Sequence, residues 1–141
     1  MSTLEKAIQI AAQAHAGQTD KAGEPYILHP IRVMLRVQIE NERIAAILHD
    51  VVEDSPVTLE DLAREGFSKE VIEAVDSLTK KKGETRVEAA HRAAANPIAK
   101  VVKLADNAEN MDLSRIASPT EKDYARIEEY KVVRKILLGD I

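Results

Sequence analysis

The eight residues ILHDVVED, positions 47–54, set one histidine and three carboxylates among aliphatic side chains. Charged groups are almost never fully buried unless they are paired or hold a metal. His49, Asp50, Glu53 and Asp54 in such an apolar stretch therefore point to chemistry rather than packing. On a helix, residues four apart share a face, which sets His49 above Glu53 and Asp50 above Asp54. That layout suits a cation held by the first row and a proton-handling carboxylate one turn further on. A self-satisfied His49–Asp50 pair with solvent-facing acids is the plainer alternative.

Two other stretches carry matching groups. In VVKLADNAEN, residues 101–110, Asp106 ends an apolar run and Asn110 lies one turn beyond it on the same face. A carboxylate there wants a cation, and a nearby lysine would serve as well as a metal. In EPYILHP, His29 stands beside a helix start, where a lone histidine is more often structural than a ligand. Together His29, His49, Asp50 and Asp106 make a mixed nitrogen and oxygen set. Such a set suits six-coordinate Mn²⁺, Fe²⁺ or Mg²⁺, or less comfortably Zn²⁺, with positions left for water. A divalent cation lowers the pKa of a water it coordinates until that water is a usable nucleophile near neutral pH.

The elements that must position these groups read as helices. Leu4, Ala7, Ile8, Ala11 and His15 form one face of a first helix that stops at Gly17. QTDKAGEPY is a loop by composition. A second helix starts near Pro30, and NERIAAILHDVVED is expected to form one continuous third helix, with Asn41 as its cap. Thr58 and Asp61 have capping-box spacing ahead of the next helix. SKEVIEAVDSLT, TRVEAAHRAAAN, PIAKVVKLADNAENMDL and a terminal helix over 121–138 follow, with Pro97 and Pro119 suited to first turns. The expected fold is all-α: a single domain over 1–141, a bundle of about seven or eight helices.

Bulk properties exclude several functions. The chain has 141 residues and no cysteine, which removes disulfides, thiolate ligands and thiol nucleophiles. A formal charge of −4, spread along the chain, argues against a nucleic-acid partner, and one Phe, three Tyr and no Trp leave no base-stacking platform. No window reaches the roughly 18 apolar residues that a membrane span needs. The N-terminal MSTLEKAIQI reads as a helix rather than a signal peptide, and a cytoplasmic location is the expectation. Helical period alone does not fix an oligomeric state.

AHAGQTDKAGEPYILHPIRV, AAILHDVVEDS and VVKLADNAENMDL, in this order, resemble the hydrolase domain of the RelA/SpoT-homologue family of HD-domain phosphohydrolases. The resemblance runs from about Ala11 to Leu113. It implies an HD-domain bundle, a manganese-dependent reaction, and removal of the 3′-pyrophosphate from the alarmones ppGpp and pppGpp. At this length the sequence resembles the stand-alone small alarmone hydrolases. By the same resemblance, His29, His49, Asp50 and Asp106 are the metal ligands and Glu53 and Asp54 the catalytic acidic pair. Asn110, Lys21, Thr79 and Lys80 then fall near the nucleotide substrate, and Lys80, Lys81 and Lys82 could grip its outer phosphates. His15 is expected to orient the loop after the first helix, and His91 to lie on the surface.

One position departs from the pattern. The family arginine that stacks on guanine, just before the lysine, is Asp20 here. A carboxylate cannot supply that cation–π contact. The alternatives are therefore another 3′- or 2′-phosphorylated nucleotide, such as an adenine alarmone or NADPH, or a non-catalytic nucleotide or metal sensor.

Overall fold

The computed structural model describes residues 2–114 and 116–140. They form nine helical segments: α1 (Leu4–Ala14), α2 (Leu28–Leu35), α3 (Glu40–Leu48), α4 (Val51–Asp54), α5 (Leu59–Arg64), α6 (Lys69–Leu78), α7 (Arg86–Ala94), α8 (Pro97–Asn110) and α9 (Glu121–Leu137). Among the described residues there is no strand, only an isolated bridge between Thr19 and Pro25. The all-α expectation holds, and the helix count matches once α3 and α4 are read as one interrupted helix.

That interruption corrects the continuous helix expected over 41–54. The His49 backbone N–H reaches back three residues to the Ala46 carbonyl at 3.4 Å, and its imidazole Nδ1 sits 2.5 Å from the same oxygen. The side chain thus competes with the backbone for one acceptor, and the ladder stops. It restarts when Asp54 N–H bonds the Asp50 carbonyl at 2.9 Å. Other boundaries differ from expectation too, α8 ending at Asn110 rather than running on to Leu113. Ile39, not Asn41, precedes the first turn of α3, and Pro119 stands one residue before the Thr120 cap of α9 rather than inside its first turn.

Most helix starts are set by local chemistry. Thr58 accepts from Asp61 N at 3.1 Å while Asp61 Oδ2 accepts from Thr58 N at 2.9 Å, the reciprocal pair expected from their spacing. Thr85 and Glu88 repeat it at 3.1 and 2.9 Å. Asn96 caps α8 by accepting from Ala99 N at 2.9 Å, with Pro97 as its first residue.

Helix α3 is the axis of the bundle, packed against α1, α2, α6 and α8. Ile44, Ile47 and Leu48 join Ala7, Ala11, Val51, Leu62, Phe67, Val71 and Val75 in one core cluster. On the other side Ala45 and Ala46 meet Val33, Val37, Ala74, Val102 and Ala105. The second half of α3, Ile44 to Leu48, is apolar on all sides and buried, as a segment at the centre of a domain must be. The alanines let α2 and α8 approach closely, since interaxial distance follows side-chain size at the contact. A third cluster, with Ala90, Ala93, Ala99, Val133, Ile136 and Leu137, fastens α7 and α9 to α8. Leu62 on α5 is fully buried, and α5 supplies no residue to the site described below. Leu62→Ala is therefore expected to cost about 2–5 kcal/mol. A urea midpoint shifted down at constant m-value would check this.

Candidate active site

The kink between α3 and α4 turns His49 and Asp50 toward α2 and α8. There His29, His49 and Asp50 each offer one ligand atom, all within 4.8 Å of one another. Asp106 lies beside that trio, its Oδ1 at 2.8 Å from His29 Nε2 and 3.4 Å from His49 Nε2. The four residues named from sequence chemistry thus meet from three separate stretches. His15, Tyr26, His29 and His49 form a row of rings with successive centroids 5.0, 5.7 and 5.5 Å apart.

The donor chemistry fits a divalent cation. A carbonyl oxygen only accepts, so the Ala46 contact fixes a proton on His49 Nδ1 and leaves Nε2 as the atom that could ligate a cation. His49 is 3% exposed, and its Nε2 is buried without a hydrogen-bond partner. Asp50 Oδ2, at 3.1 Å, and Asp106 Oδ1 flank that nitrogen. A buried imidazole nitrogen facing two carboxylates is a cation site by charge as well as by geometry.

Electrostatics follow from the same packing. Burial alone would lower the His49 pKa, but the Asp50 and Asp106 carboxylates hold it well above the usual value. Burial pushes Asp50 up and the His49 charge outweighs it, bringing Asp50 to about 2. Asp106 is likewise held well below the usual range, where Lys103 and the two imidazoles overcome burial. Asp54 shifts the other way, raised by burial and then by the Asp50 and Glu53 charges.

A cleft of about 350 Å³ opens over these groups, lined among others by Glu53, Asp54, Lys80, Arg86, Lys103, Asn110 and Tyr130. Glu53 Oε1 accepts from the backbone N–H of Lys80 at 2.8 Å, across the cleft mouth. Lys21 lines a neighbouring pocket of about 160 Å³ with Asp20, Asp123 and Arg126. The two cavities share Tyr26, His29, Asn110 and Tyr130. Asn110 Nδ2 donates to Asp106 Oδ1 at 3.2 Å, on the face where helical spacing put it. Thr79 is not drawn into either cavity; its hydroxyl donates to the Val75 carbonyl at 2.7 Å. Lys81 and Lys82 are exposed and line neither cavity, unlike Lys80.

His15 takes the orienting place expected of it. Its Nδ1 donates to Gln18 Oε1 at 3.0 Å, while Gln18 Nε2 donates to the Asp54 carbonyl at 3.0 Å and to that of Ala14 at 3.3 Å. Gln18 O also accepts from Tyr26 N at 2.9 Å, which ties the loop to α4. His91 is on the surface.

Sequence reasoning did not single out Tyr26, Lys103 or Arg86. The Tyr26 hydroxyl donates to Asp50 Oδ2, fixing a ligand carboxylate from the side. Lys103 Nζ lies 3.1 Å from Asp106 Oδ2, so a lysine and the imidazoles share that carboxylate. The signal for Lys103 was its place three residues before Asp106 in a helical run. Arg86, stacked 5.4 Å over Tyr130 and paired with Glu129 at 2.5 Å, has no such signal, because only the packing of α7 on α9 brings these residues together.

Known proteins share this architecture. The structure of a metazoan ortholog of SpoT, described as hydrolysing ppGpp, superposes with a TM-score of 0.76 at 28% identity, covering 99% of this chain and 85% of that one. A probable GTP pyrophosphokinase of Mycobacterium leprae is 35% identical over 94% of this chain and 18% of its own length. The guanosine-3′,5′-bis(diphosphate) 3′-pyrophosphohydrolase of Borreliella burgdorferi is 43% identical over 55% of this chain, and the bifunctional (p)ppGpp synthase/hydrolase SpoT of Escherichia coli 42% over 55%. This chain spans only 12% and 11% of those two relatives. The HD-domain family model matches residues 7–100, a span that includes the kink where His49 and Asp50 stand, and this chain belongs to the HD-domain family.

Proposed function

We propose that this chain is a divalent-metal-dependent phosphohydrolase that removes the 3′-pyrophosphate from ppGpp-type nucleotides, with Mn²⁺ as the working cation. One observation supports the reading: His29, Asp50 and Asp106, with His49 buried beside them, share one cleft with Glu53, Asp54, Lys80, Arg86 and Lys103, in a fold like that of a SpoT ortholog described as hydrolysing ppGpp. His29, His49, Asp50 and Asp106 would hold the cation. When bound, it supplies an acidified water and offsets charge on the phosphoryl oxygens.

The chain's own groups do the rest. Glu53, exposed at the cleft mouth, takes the water proton. Asp54, whose carboxyl is raised by burial and by its acidic neighbours, helps return a proton to the leaving 3′ oxygen. Lys80, Arg86 and Lys103 bring three positive charges to the phosphates. Lys21 and Asn110 line the pocket next door, where the nucleoside would extend. Tyr26 holds Asp50 in its ligand orientation.

A second reading keeps the chemistry and changes the base. Asp20 lines the adjoining pocket, and its Oδ1 accepts from Ala22 N at 2.9 Å and Glu24 N at 3.0 Å. The carboxylate thus shapes its own loop where a stacking guanidinium would otherwise reach the base. An adenine 3′-diphosphate or a 2′-phosphorylated dinucleotide such as NADPH then competes as substrate. The deciding experiment offers the chain a panel of 3′- and 2′-phosphorylated nucleotides with Mn²⁺, Fe²⁺, Mg²⁺ or Zn²⁺, and a chelated control. Metal-dependent pyrophosphate release from ppGpp is expected. Faster turnover of the adenine counterpart would establish the second reading, and no release from any member with any cation would leave a non-catalytic sensor.

A further inference from the structure

The hydrogen bond from Lys80 N–H to Glu53 joins the candidate base to the loop of residues 79–85, between α6 and α7. That loop has no apolar anchor: its sequence is TKKKGET, with Gly83 at φ +80°. Lys80, Lys81 and Lys82 are all exposed. Nothing in its composition would hold the Lys80 amide still.

What does hold it is Arg92, on α7. Its Nε and Nη2 both donate to the Glu84 carboxylate at 2.8 Å, a two-pronged pairing. Nη1 donates to the Asp76 carbonyl at 2.9 Å and Nη2 to the Thr79 carbonyl at 2.7 Å. These carbonyls lie at the end of α6, where helix geometry leaves acceptor capacity unused, although Asp76 O also takes the Thr79 N–H at 3.2 Å. Glu84 Oε1 in turn accepts from Lys81 N at 3.0 Å. The loop is thereby pinned on both flanks of Lys80 by one guanidinium and its carboxylate. The Glu84 carboxyl is held at about 2, first by its hydrogen bonds from Arg92 and then by the Lys81 backbone, so it stays ionised at neutral pH.

We propose that Arg92 and Glu84 are positioning residues for Glu53, acting through the backbone of Lys80. One carboxylate oxygen of Glu53 is committed to the loop, which fixes the group and leaves the other oxygen to take a proton. The inference rests on the hydrolase reading for its catalytic consequence but not for its structural one. An ordinary surface ion pair would contribute little to stability and nothing to turnover.

The test uses the full chain and three variants: Arg92→Lys, Glu84→Gln, and the exchanged pair Arg92→Glu with Glu84→Arg. Lys cannot reproduce the fork, so the Lys80 amide should exchange with solvent at least about tenfold faster by NMR. The kcat for pyrophosphate release should fall roughly 10- to 100-fold, as misplacing a reacting group by about 1 Å does. KM and bound metal should stay within about twofold, and the exchanged pair, which restores the ion pair but not the donations to the Asp76 and Thr79 carbonyls, should not recover wild-type kcat. Unchanged Lys80 exchange in both single variants overturns the proposal. So does faster exchange with wild-type kcat, which would mean a loop anchor without catalytic consequence. Should the wild type hydrolyse no nucleotide, the hydrolase reading fails by itself and the catalytic half of this proposal with it, while Lys80 exchange still judges the clamp. If Arg92→Lys does not fold, Glu84→Gln carries both measurements, since it keeps one acceptor oxygen but removes the charge and one prong of the pairing.

Discussion

Glu53→Gln is expected to lower turnover by roughly 10²–10⁴-fold, the range that a positioned proton acceptor contributes. Metal content should not change, because Glu53 is not one of the three residues that converge within 4.8 Å and its Oε1 is engaged by the Lys80 N–H instead. The substitution is clean for a local reason. A glutamine carbonyl still accepts the Lys80 N–H, so the 2.8 Å link to the loop survives and only the ability to take a proton is lost. Pyrophosphate release at saturating substrate, with metal measured by elemental analysis on the same sample, checks both halves. A variant that turned over at the wild-type rate would move the base to Asp54, the other acid at the cleft.

His49→Ala should instead abolish both metal binding and activity. His49 sits at the centre of the cluster, with its proton fixed on Nδ1 and its Nε2 between two carboxylates. Altering a partner that merely orients a ligand costs about 10–100-fold in metal affinity. Deleting the ligand itself should exceed that range, whereas Tyr26→Phe, which removes only the hydroxyl donated to Asp50, should fall within it. Calorimetric titration with Mn²⁺ separates the two variants without reference to turnover. Wild-type affinity in His49→Ala would mean that the four residues do not share a cation.

The sequence was most legible where chemistry and helical period coincide. His49 and Asp50 stood out because charge in an apolar run demands a partner, and Asp106 and Asn110 because four-residue spacing places them on one face. The Thr58–Asp61 cap and the proline opening α8 were readable for the same local reason. The continuous helix expected over 41–54 failed, however, at His49, while the turn from Asp50 to Asp54 survived. A histidine ring can take a backbone acceptor from its own helix, and period alone does not say when it will.

The residues around the ligands were hidden for a different reason. Tyr26 lies in a loop, Arg86 on α7 and Lys80, itself named from sequence, in a polar turn, and none has a sequence neighbour that implies its partner. Their contacts span 24 positions for Tyr26 with Asp50, 43 for Arg86 with Glu129 and 27 for Lys80 with Glu53.

Residue types and short-range spacing, then, determined that this chain is helical and that two imidazoles and two aspartates are its ligand candidates, because those properties depend on one helix face at a time. Whether the four groups meet, which lysine shares Asp106, and what steadies Glu53 were decided only when α2, α3, α7 and α8 packed together. Those distances depend on the thickness of the alanine-rich contacts between helices, and no single segment encodes them.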